Sequence, residues 1–159
     1  MPCSIATSQL AAKGVPTSLR CSVQDCTDAI KTQIRSLSKG HNLLFVTGGL
    51  GPTADDKTRA SFAESLGVPL VEDEAALMSI ESWFASRGTV MPNENSSQSL
   101  RPESASWIEN KHGTAPGLRA TMNHCTIVCL PGPPSELKPM FTAIIDELLR
   151  GHPSLDGYF

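Results

Sequence analysis

Glycines and acidic residues that could bind a phosphate group lie together near the middle of this chain. The run 47–51, Thr-Gly-Gly-Leu-Gly, is followed by Asp55, Asp56 and Thr58. Glycines let the backbone adopt positive φ and approach a ligand, so that successive N–H groups can face an anion. Carboxylates beside such a loop would give oxygen ligands to a divalent cation. The pattern predicts a phosphate site, although a tight turn before a helix N-cap uses the same residue types.

The glycine-rich run differs from two common nucleotide-binding motifs. It has neither the lysine spacing of a Walker A motif nor the G-x-G-x-x-G order of a dinucleotide-binding fold. Its backbone N–H groups could still hold one phosphate at the start of a helix. Lys57, Arg59 or Lys138 could offset phosphate charge, although such residues are more often simply solvated side chains. The motif alone therefore leaves the ligand open.

The elements around this run predict an α/β fold. Four apolar residues at 43–46 are typical of a strand buried on both faces, and a helical pattern follows at 58–66. Alternation of helices and strands predicts a three-layer α/β/α sandwich with a mostly parallel sheet. The residues at 118–130 predict an antiparallel hairpin that turns at Asn123 and His124. We expect one domain over residues 1–150 and a tail at 151–159.

Other elements follow from periodicity and from capping residues. We expect Asp25 or Thr27, Asp73 and Ser135 to cap helices. The segment 68–71 reads as a short extended link, and residues 89–106 form the least regular stretch. The expected helices lie at 4–13, 27–39, 58–66, 74–87 and from 135 onward, and the expected strands at 15–23, 43–46, 107–108, 118–121 and 125–130.

Three candidate segments follow predicted strands and should meet at one edge of the sheet. They are Asp25, the run 47–58 and the turn at 131–136. In open α/β sheets, ligands bind at the carboxyl ends of the strands. Asp25 and Asp56 could hold one or two magnesium-like ions, and one of them or Glu136 could orient a water molecule. The sequence thus allows metal-assisted cleavage of a pyrophosphate.

Composition excludes several classes of protein. The chain has 159 residues, of which 40% are apolar and 18% charged, as in a globular domain. A net charge of −3 and a pI near 5.8 argue against a general nucleic-acid binder. No apolar run approaches the roughly 20 residues of a membrane span. Five cysteines without metal-site spacing predict buried free thiols in a reducing, cytoplasmic compartment.

Three motifs together resemble the amino-terminal domain of the CinA family, the competence/damage-inducible proteins. The first is the run 47–58, the second is Gly-Thr-Ala-Pro-Gly at 113–117, and the third is Leu-Pro-Gly-Pro-Pro-Ser-Glu-Leu-Lys-Pro-Met at 130–140. The resemblance covers residues 4–149. This family is related to the molybdopterin-binding domains of molybdenum-cofactor biosynthesis. The resemblance implies the same three-layer fold and a phosphorylated nucleotide-like or pterin-like ligand.

The resemblance also implies an activity and a set of site residues. CinA-type domains are associated with metal-dependent hydrolysis of ADP-ribose, with magnesium, manganese or cobalt as the metal. The alternatives are a molybdopterin- or nucleotide-binding module without turnover and a domain with only a structural role. Either Asn93 or Asn95, together with Gln98, matches an Asn…Gln pattern of CinA-type domains. The implied catalytic residues are Asp56, Asp25 and Glu136, with Asp25 and Asp56 as metal ligands, and the implied ligand-binding residues are Thr47, Gly48, Gly49, Gly51, Thr58, Asn95, Gln98, Gly132 and Pro133.

Two features of the family have no counterpart in this sequence. Members normally begin with a further strand and a glycine–acid motif, which would precede residue 4 of this sequence. They usually also carry a deamidase domain, which would follow residue 149. We therefore expect a sheet without that strand and no amidase activity. The resemblance also implies an oligomer, for which we expect a homodimer.

Overall fold

The computed structural model describes residues 2–150, and the tail predicted at 151–159 lies outside this range. The described residues form five α-helices, six strands and one 3₁₀ helix. In chain order they are α1 Pro2–Ala12, α2 Thr27–Leu37, β1 Leu43–Thr47, α3 Thr58–Leu66, β2 Leu70–Glu72, α4 Glu74–Ala85, the 3₁₀ helix Asn93–Ser99, β3 Leu100–Pro102, β4 Ser106–Ile108, β5 Gly117–Met122, β6 Cys125–Leu130 and α5 Pro134–Arg150.

The main sheet has four strands in the order β1-β6-β5-β4. Strands β1 and β6 are parallel, with Phe45 opposite Val128, whereas β6 pairs with β5 and β5 with β4 in antiparallel fashion. The hairpin turns at Asn123 and His124, as predicted, and both residues have positive φ. The sheet is therefore mixed rather than mostly parallel, because the hairpin and β4 supply three of its four strands.

Side chains of β6 alternate between two hydrophobic cores, one on each face of the sheet. Val128 and Leu130 pack in a core with residues of α1 and α5. Ile127 and Cys129 pack in a second core with residues of α2 and α3. This alternation follows from the two-residue period of a strand. It places two helices on each face, and the predicted three-layer α/β/α class is confirmed.

The strand predicted at 15–23 is wrong. These residues do not form a strand, and all of them except Val15 are exposed. Residues 15–21 and 43–45 together line a cavity of about 360 Å³. A strand needs a neighbour at about 4.8 Å to complete its hydrogen bonds. β1 is the terminal strand of the sheet, but the cavity lies between its free edge and residues 15–21, so this segment does not pair with it.

The link predicted at 68–71 is partly a strand. Residues 70–72 form β2, which pairs in antiparallel fashion with β3 in a separate two-stranded sheet. Asp73 caps α4, as predicted, by accepting the N–H of Ala76 at 3.1 Å. The other two predicted caps are wrong. Cys26 precedes α2 without a side-chain cap, and α5 begins at Pro134, which places Ser135 inside the helix.

The cysteines divide into two environments. Cys125 and Cys129 are buried free thiols on β6, as predicted, whereas Cys21 and Cys26 are free but exposed. Burial raises the pKa of Cys125 to about 11 and raises that of Cys129 further. Among residues 2–150, no helix has the length and apolar character to cross a bilayer.

Candidate functional site

The glycine loop, which we define as residues 48–56, begins where β1 ends. The N–H of Gly48 donates to the carbonyl of Leu130 at 2.9 Å and so extends the contact between β1 and β6 by one bond. Gly48 and Gly49 have φ angles of 94° and 67°. Side chains strongly disfavour such values, which explains two consecutive glycines at this turn.

The turn that follows β6 lies directly beside the glycine loop. A Cβ built on Gly132 would lie 3.3 Å from the α-carbon of Gly48, which is a tight contact. Pro133 is exposed, and its carbonyl accepts the N–H of Glu136 at 3.0 Å in the first turn of α5. Thr47 ends β1 opposite Leu130. The structure thus brings together the predicted ligand residues of both loops.

Two of the three glycines make room for side chains, one from the loop itself and one from the start of α3. A Cβ on Gly49 would collide with the hydroxyl of Thr58, and one on Gly51 would collide with the carboxylate of Asp56. The N–H of Thr58 also donates to the carbonyl of Gly49 at 3.1 Å. In contrast, no atom lies within 4 Å of a Cβ built on Gly48. Gly48 is therefore the glycine beside which open space remains.

Asp56 closes the glycine loop with its own carboxylate. Its Oδ2 accepts the N–H of Thr53 at 3.0 Å and the hydroxyl of Thr53 at 2.6 Å. In return, the N–H of Asp56 donates to the carbonyl of Thr53 at 3.0 Å. Asp55 is exposed, while Asp56 is half-buried. The acid predicted to act in catalysis thus also fixes the loop, and both contacts use the same carboxylate oxygen.

Three consecutive N–H groups of the loop have no acceptor within the described part of the chain. They belong to Gly49, Leu50 and Gly51, whereas the N–H groups of Gly48 and Thr53 are both bonded. Backbone donors left unpaired near positive-φ residues form concave sites for anions. The N-terminus of α3, which follows the loop, adds the positive end of its helix dipole.

Asn95 and Gln98 lie in the 3₁₀ helix and are almost completely buried, at 8% and 2% exposure. The Nδ2 of Asn95 donates to Oε1 of Gln98 at 2.8 Å, and the Nε2 of Gln98 approaches the carbonyl of Leu50 at 3.5 Å. These contacts support the glycine loop from within the protein. Their predicted contact with a ligand stays a prediction.

Arg59 approaches the same carbonyl from the first turn of α3. It is only 6% exposed, and its Nη2 donates to the oxygen of Leu50 at 2.7 Å. Burial lowers the pKa of Arg59 to about 10, while the negative charge of Asp56 acts in the opposite direction. Sequence reasoning treated this arginine and two lysines alike. Arg59 differs from the two lysines because it lies on the buried face of α3.

Glu136 is held by a residue that sequence reasoning missed. The Nδ2 of Asn110 donates to Oε2 of Glu136 at 2.7 Å and to the carbonyl of Ala115 at 2.9 Å. The Oδ1 of Asn110 accepts the N–H of His112 at 3.0 Å. Asn110 thereby ties α5 to the second glycine-rich loop, residues 113–117. Its position three residues before that loop is the only sequence signal that could have indicated it.

Asp25 does not join the other acids in this structure. It is exposed, follows residues 15–24, which form no helix or strand, and no hydrogen bond or ion pair links it to another described residue. Within residues 2–150, no group of three or more histidine, cysteine, aspartate or glutamate side chains could hold a metal ion. The protein side chains described thus do not form a ready-made metal centre, and the metal and catalytic roles of Asp25 stay predictions.

Comparison with known proteins agrees with this geometry. The chain is 40% identical to the competence-damage inducible protein of Geobacillus sp. (strain WCH70) over 133 residues, which are 84% of this chain and 32% of that protein. It is 41% identical to the protein of the same name in Caldicellulosiruptor bescii, with the same coverage. The chain thus spans about a third of the length of these curated relatives.

Solved structures show the same fold. The CinA protein of Thermoplasma acidophilum, described as of unknown function, superimposes with a TM-score of 0.83 at 30% identity, over 92% of this chain and 85% of that chain. A molybdopterin biosynthesis protein of Mycobacterium abscessus gives a TM-score of 0.62 at 14% identity, over 97% and 84%, and shows the fold alone.

A family described as "Probable molybdopterin binding domain" matches residues 4–151, nearly the whole chain. The three loops that meet at the carboxyl end of β1 and β6 all lie inside this match. The chain therefore belongs to the molybdopterin-binding domain family and, within it, corresponds to the amino-terminal domain of CinA.

Proposed function

We propose that this domain binds the phosphorylated part of a small molecule, a pterin or a nucleotide, at the glycine loop. The observation that carries the proposal is the set of three consecutive unbonded N–H groups at Gly49, Leu50 and Gly51. The carbonyl of Gly49 accepts the N–H of Thr58, the first residue of α3, so the loop lies beside a helix N-terminus, where the backbone favours negative charge. The family description supports a pterin-like ligand, and the fold brings a second glycine-rich loop to the same end of the sheet.

Thermal shift measurements test binding directly. A ligand at a hundred times its dissociation constant stabilises the folded state by about 2.7 kcal/mol. We expect inorganic pyrophosphate and ADP to raise the melting temperature, and adenosine without phosphate to raise it much less. No shift with any phosphorylated compound, including a phosphorylated pterin, would contradict the proposal and favour a structural role.

A pair of glycine variants locates the site. Gly48 and Gly67 both have positive φ, and both have open space where a Cβ would lie. Alanine at either position should therefore cost similar stability, about 1 kcal/mol. Gly48→Ala places a methyl group beside the proposed site, whereas Gly67→Ala changes only the end of α3. We expect pyrophosphate binding to weaken in the first variant alone.

A second candidate function is metal-dependent hydrolysis of ADP-ribose. The observation that favours it is the position of two half-buried carboxylates, Asp56 in the glycine loop and Glu136 in the first turn of α5, beside the place where Gly132 approaches Gly48. Magnesium often binds through one or two carboxylates together with substrate phosphates. Under this proposal, Asp56 would contribute an oxygen ligand only when a phosphorylated ligand is present, because the described residues lack a complete metal cluster.

Release of AMP from ADP-ribose in the presence of magnesium, manganese or cobalt tests this candidate. Asp56→Asn should abolish release, and Asp55→Asn, which removes the same charge from an exposed neighbour, should retain it. Equal activity of Asp56→Asn and the unaltered chain would exclude the candidate.

The homodimer and the cytoplasmic location are likewise proposals, and light scattering after size-exclusion chromatography tests the first.

A further inference from the structure

Arg59 is a buried cation that has no carboxylate partner within residues 2–150. Its Nη2 donates to the carbonyl of Leu50, but its Nε is buried without a hydrogen-bond partner. No described acid lies within ion-pair distance of its guanidinium. Burial of a charge without a pair is unfavourable, so a positive charge at this place needs compensation. A bound anion would provide it.

Few other charges lie close enough to cancel that of Arg59. The two titratable groups that act on it are Asp56, in the glycine loop, and Cys129, on β6. The raised pKa of Cys129 keeps that thiol neutral near pH 7. The carboxylate of Asp56 acts on Arg59 only from a distance, because it forms no ion pair with the guanidinium and accepts its hydrogen bonds from Thr53. The inner side of the glycine loop therefore carries a positive charge that the protein only partly balances.

The peptide group between Leu50 and Gly51 connects Arg59 to the outer side of the loop. A trans peptide directs its C=O and its N–H in opposite directions. Because Arg59 draws the Leu50 carbonyl inward, the N–H of Gly51 points away from the guanidinium. Gln98 reaches the same carbonyl from the 3₁₀ helix at 3.5 Å. One hydrogen bond thus both orients and polarises an unbonded donor of the proposed site.

We propose that Arg59 is a positioning residue that favours phosphorylated ligands of higher negative charge from beneath the glycine loop, through the Leu50–Gly51 peptide and without contact with the ligand. This inference rests on the proposed binding of phosphorylated compounds at the loop. The buried side chain of Arg59 would have two effects. It would orient the N–H of Gly51, and its charge would favour ligands of higher negative charge.

Titration calorimetry with three variants tests the proposal. Arg59→Met removes the charge and the hydrogen bond, Arg59→Lys keeps the charge, and Arg35→Met removes an exposed arginine that contacts only the distant end of α3. The probes are ADP and ADP-ribose, which share adenosine and a diphosphate but differ by about one negative charge. We expect Arg59→Met to weaken ADP binding about tenfold or more, and ADP-ribose binding by a smaller factor.

The remaining variants separate charge from structure. Arg59→Lys should recover much of the ADP affinity, and Arg35→Met should leave it unchanged. A loss in Arg59→Met that is equal for ADP and ADP-ribose and is not recovered by lysine would overturn the proposal, because it would indicate a purely structural role. Failure of the unaltered chain to bind either compound would instead refute the proposed function itself.

If Arg59→Met does not fold, the pH dependence of Arg59→Lys decides the question. Lysine has a lower pKa than arginine, and burial lowers it further. The phosphates of ADP are fully ionised above about pH 8, so their charge is then constant. ADP affinity of Arg59→Lys should fall severalfold between about pH 8 and 9, below the pKa of about 10 of Arg59, relative to the unaltered chain. Parallel pH profiles for the two proteins would overturn the proposal.

Discussion

The carboxylate of Glu136 occupies the space that a side chain at Gly113 would fill. A Cβ at residue 113 would overlap both the carboxylate carbon and its oxygens, so glycine is required for close contact between the second glycine-rich loop and α5. Because the overlapping atoms are the end of a flexible side chain, Glu136 can move aside and lose its hydrogen bond from Asn110, so we expect Gly113→Ala to destabilise the fold by about 1 kcal/mol. Urea unfolding measures the change.

Two comparisons make this prediction specific. Gly40→Ala should have little effect, because no atom lies within 4 Å of a Cβ there and its φ is not positive. Glu136→Ala should remove the overlap, so the double variant Gly113→Ala/Glu136→Ala should be less destabilised than the sum of the two single changes. Strict additivity would show that the two residues do not interact.

Features encoded within a few residues of one another could be predicted from the sequence. The helix at 58–66 agrees with α3 residue for residue, and Gly67 ends it in the left-handed conformation. Asp73 caps α4, and the hairpin turns at Asn123 and His124. Each depends on the periodicity of side chains or on the conformational preference of one or two residues, so local sequence contains enough information.

Features that depend on contacts between distant residues were missed. Asn110 and Glu136 are 26 residues apart, and nothing in either local sequence indicates that they are bonded. Strand β2 exists only because β3 supplies its partner. Conversely, residues 15–23 alternate like a strand but have no partner in the described sheet. Whether β2 and residues 15–23 form strands depends on strand pairing and burial rather than on the strand propensity of their residues.

Some features of the candidate site could likewise be predicted from the sequence, and others could not. Their positions after predicted strands indicated that the loops after β1 and β6 would meet, and Gly132 does lie beside Gly48, whereas Asp25, included in the same prediction, does not join them. The sequence could not show that Gly49 and Gly51 accommodate Thr58 and Asp56, because those contacts depend on the path of the loop. It also could not rank Arg59 above Lys57 and Lys138, because burial depends on how α3 packs against the sheet.

The four described thiols should differ sharply in reactivity. Thiolates, not thiols, react with disulfide reagents, and burial both raises the pKa and blocks access. Cys21 and Cys26 are exposed, whereas Cys125 and Cys129 are buried with raised pKa values. We therefore expect Cys21 and Cys26 to react rapidly in the folded protein at pH 8, and Cys125 and Cys129 to react only after unfolding.

Mass spectrometry of the labelled peptides assigns each modification to its residue. Cys21→Ser and Cys26→Ser should each remove one rapid modification, and Cys125→Ala should remove none. Rapid labelling of Cys129 in the folded state would contradict the packing of β6 between the two cores.

Stability in acid should depend on the ion pair between Asp73 and Arg101. The Nε of Arg101 donates to Oδ2 of Asp73 at 2.7 Å, and this bond holds the pKa of Asp73 below its ordinary value of 3.8. The N–H of Ala76 contributes in the same direction. A lowered folded-state pKa gives stability that is fully present above the unfolded-state pKa and is lost as the pH falls through the folded-state pKa.

The difference in unfolding free energy between the unaltered chain and Asp73→Asn should therefore shrink as the pH falls from about 5 to 2. Asp28→Asn is the matched control, since Lys31 also lowers the pKa of Asp28, but that carboxylate is 84% exposed. Salt screens exposed pairs more strongly than partly buried ones. Urea unfolding at high salt should thus abolish the pH-dependent effect of Asp28→Asn and retain that of Asp73→Asn. A pH-independent difference for Asp73→Asn would show that the ion pair with Arg101 does not stabilise the folded domain.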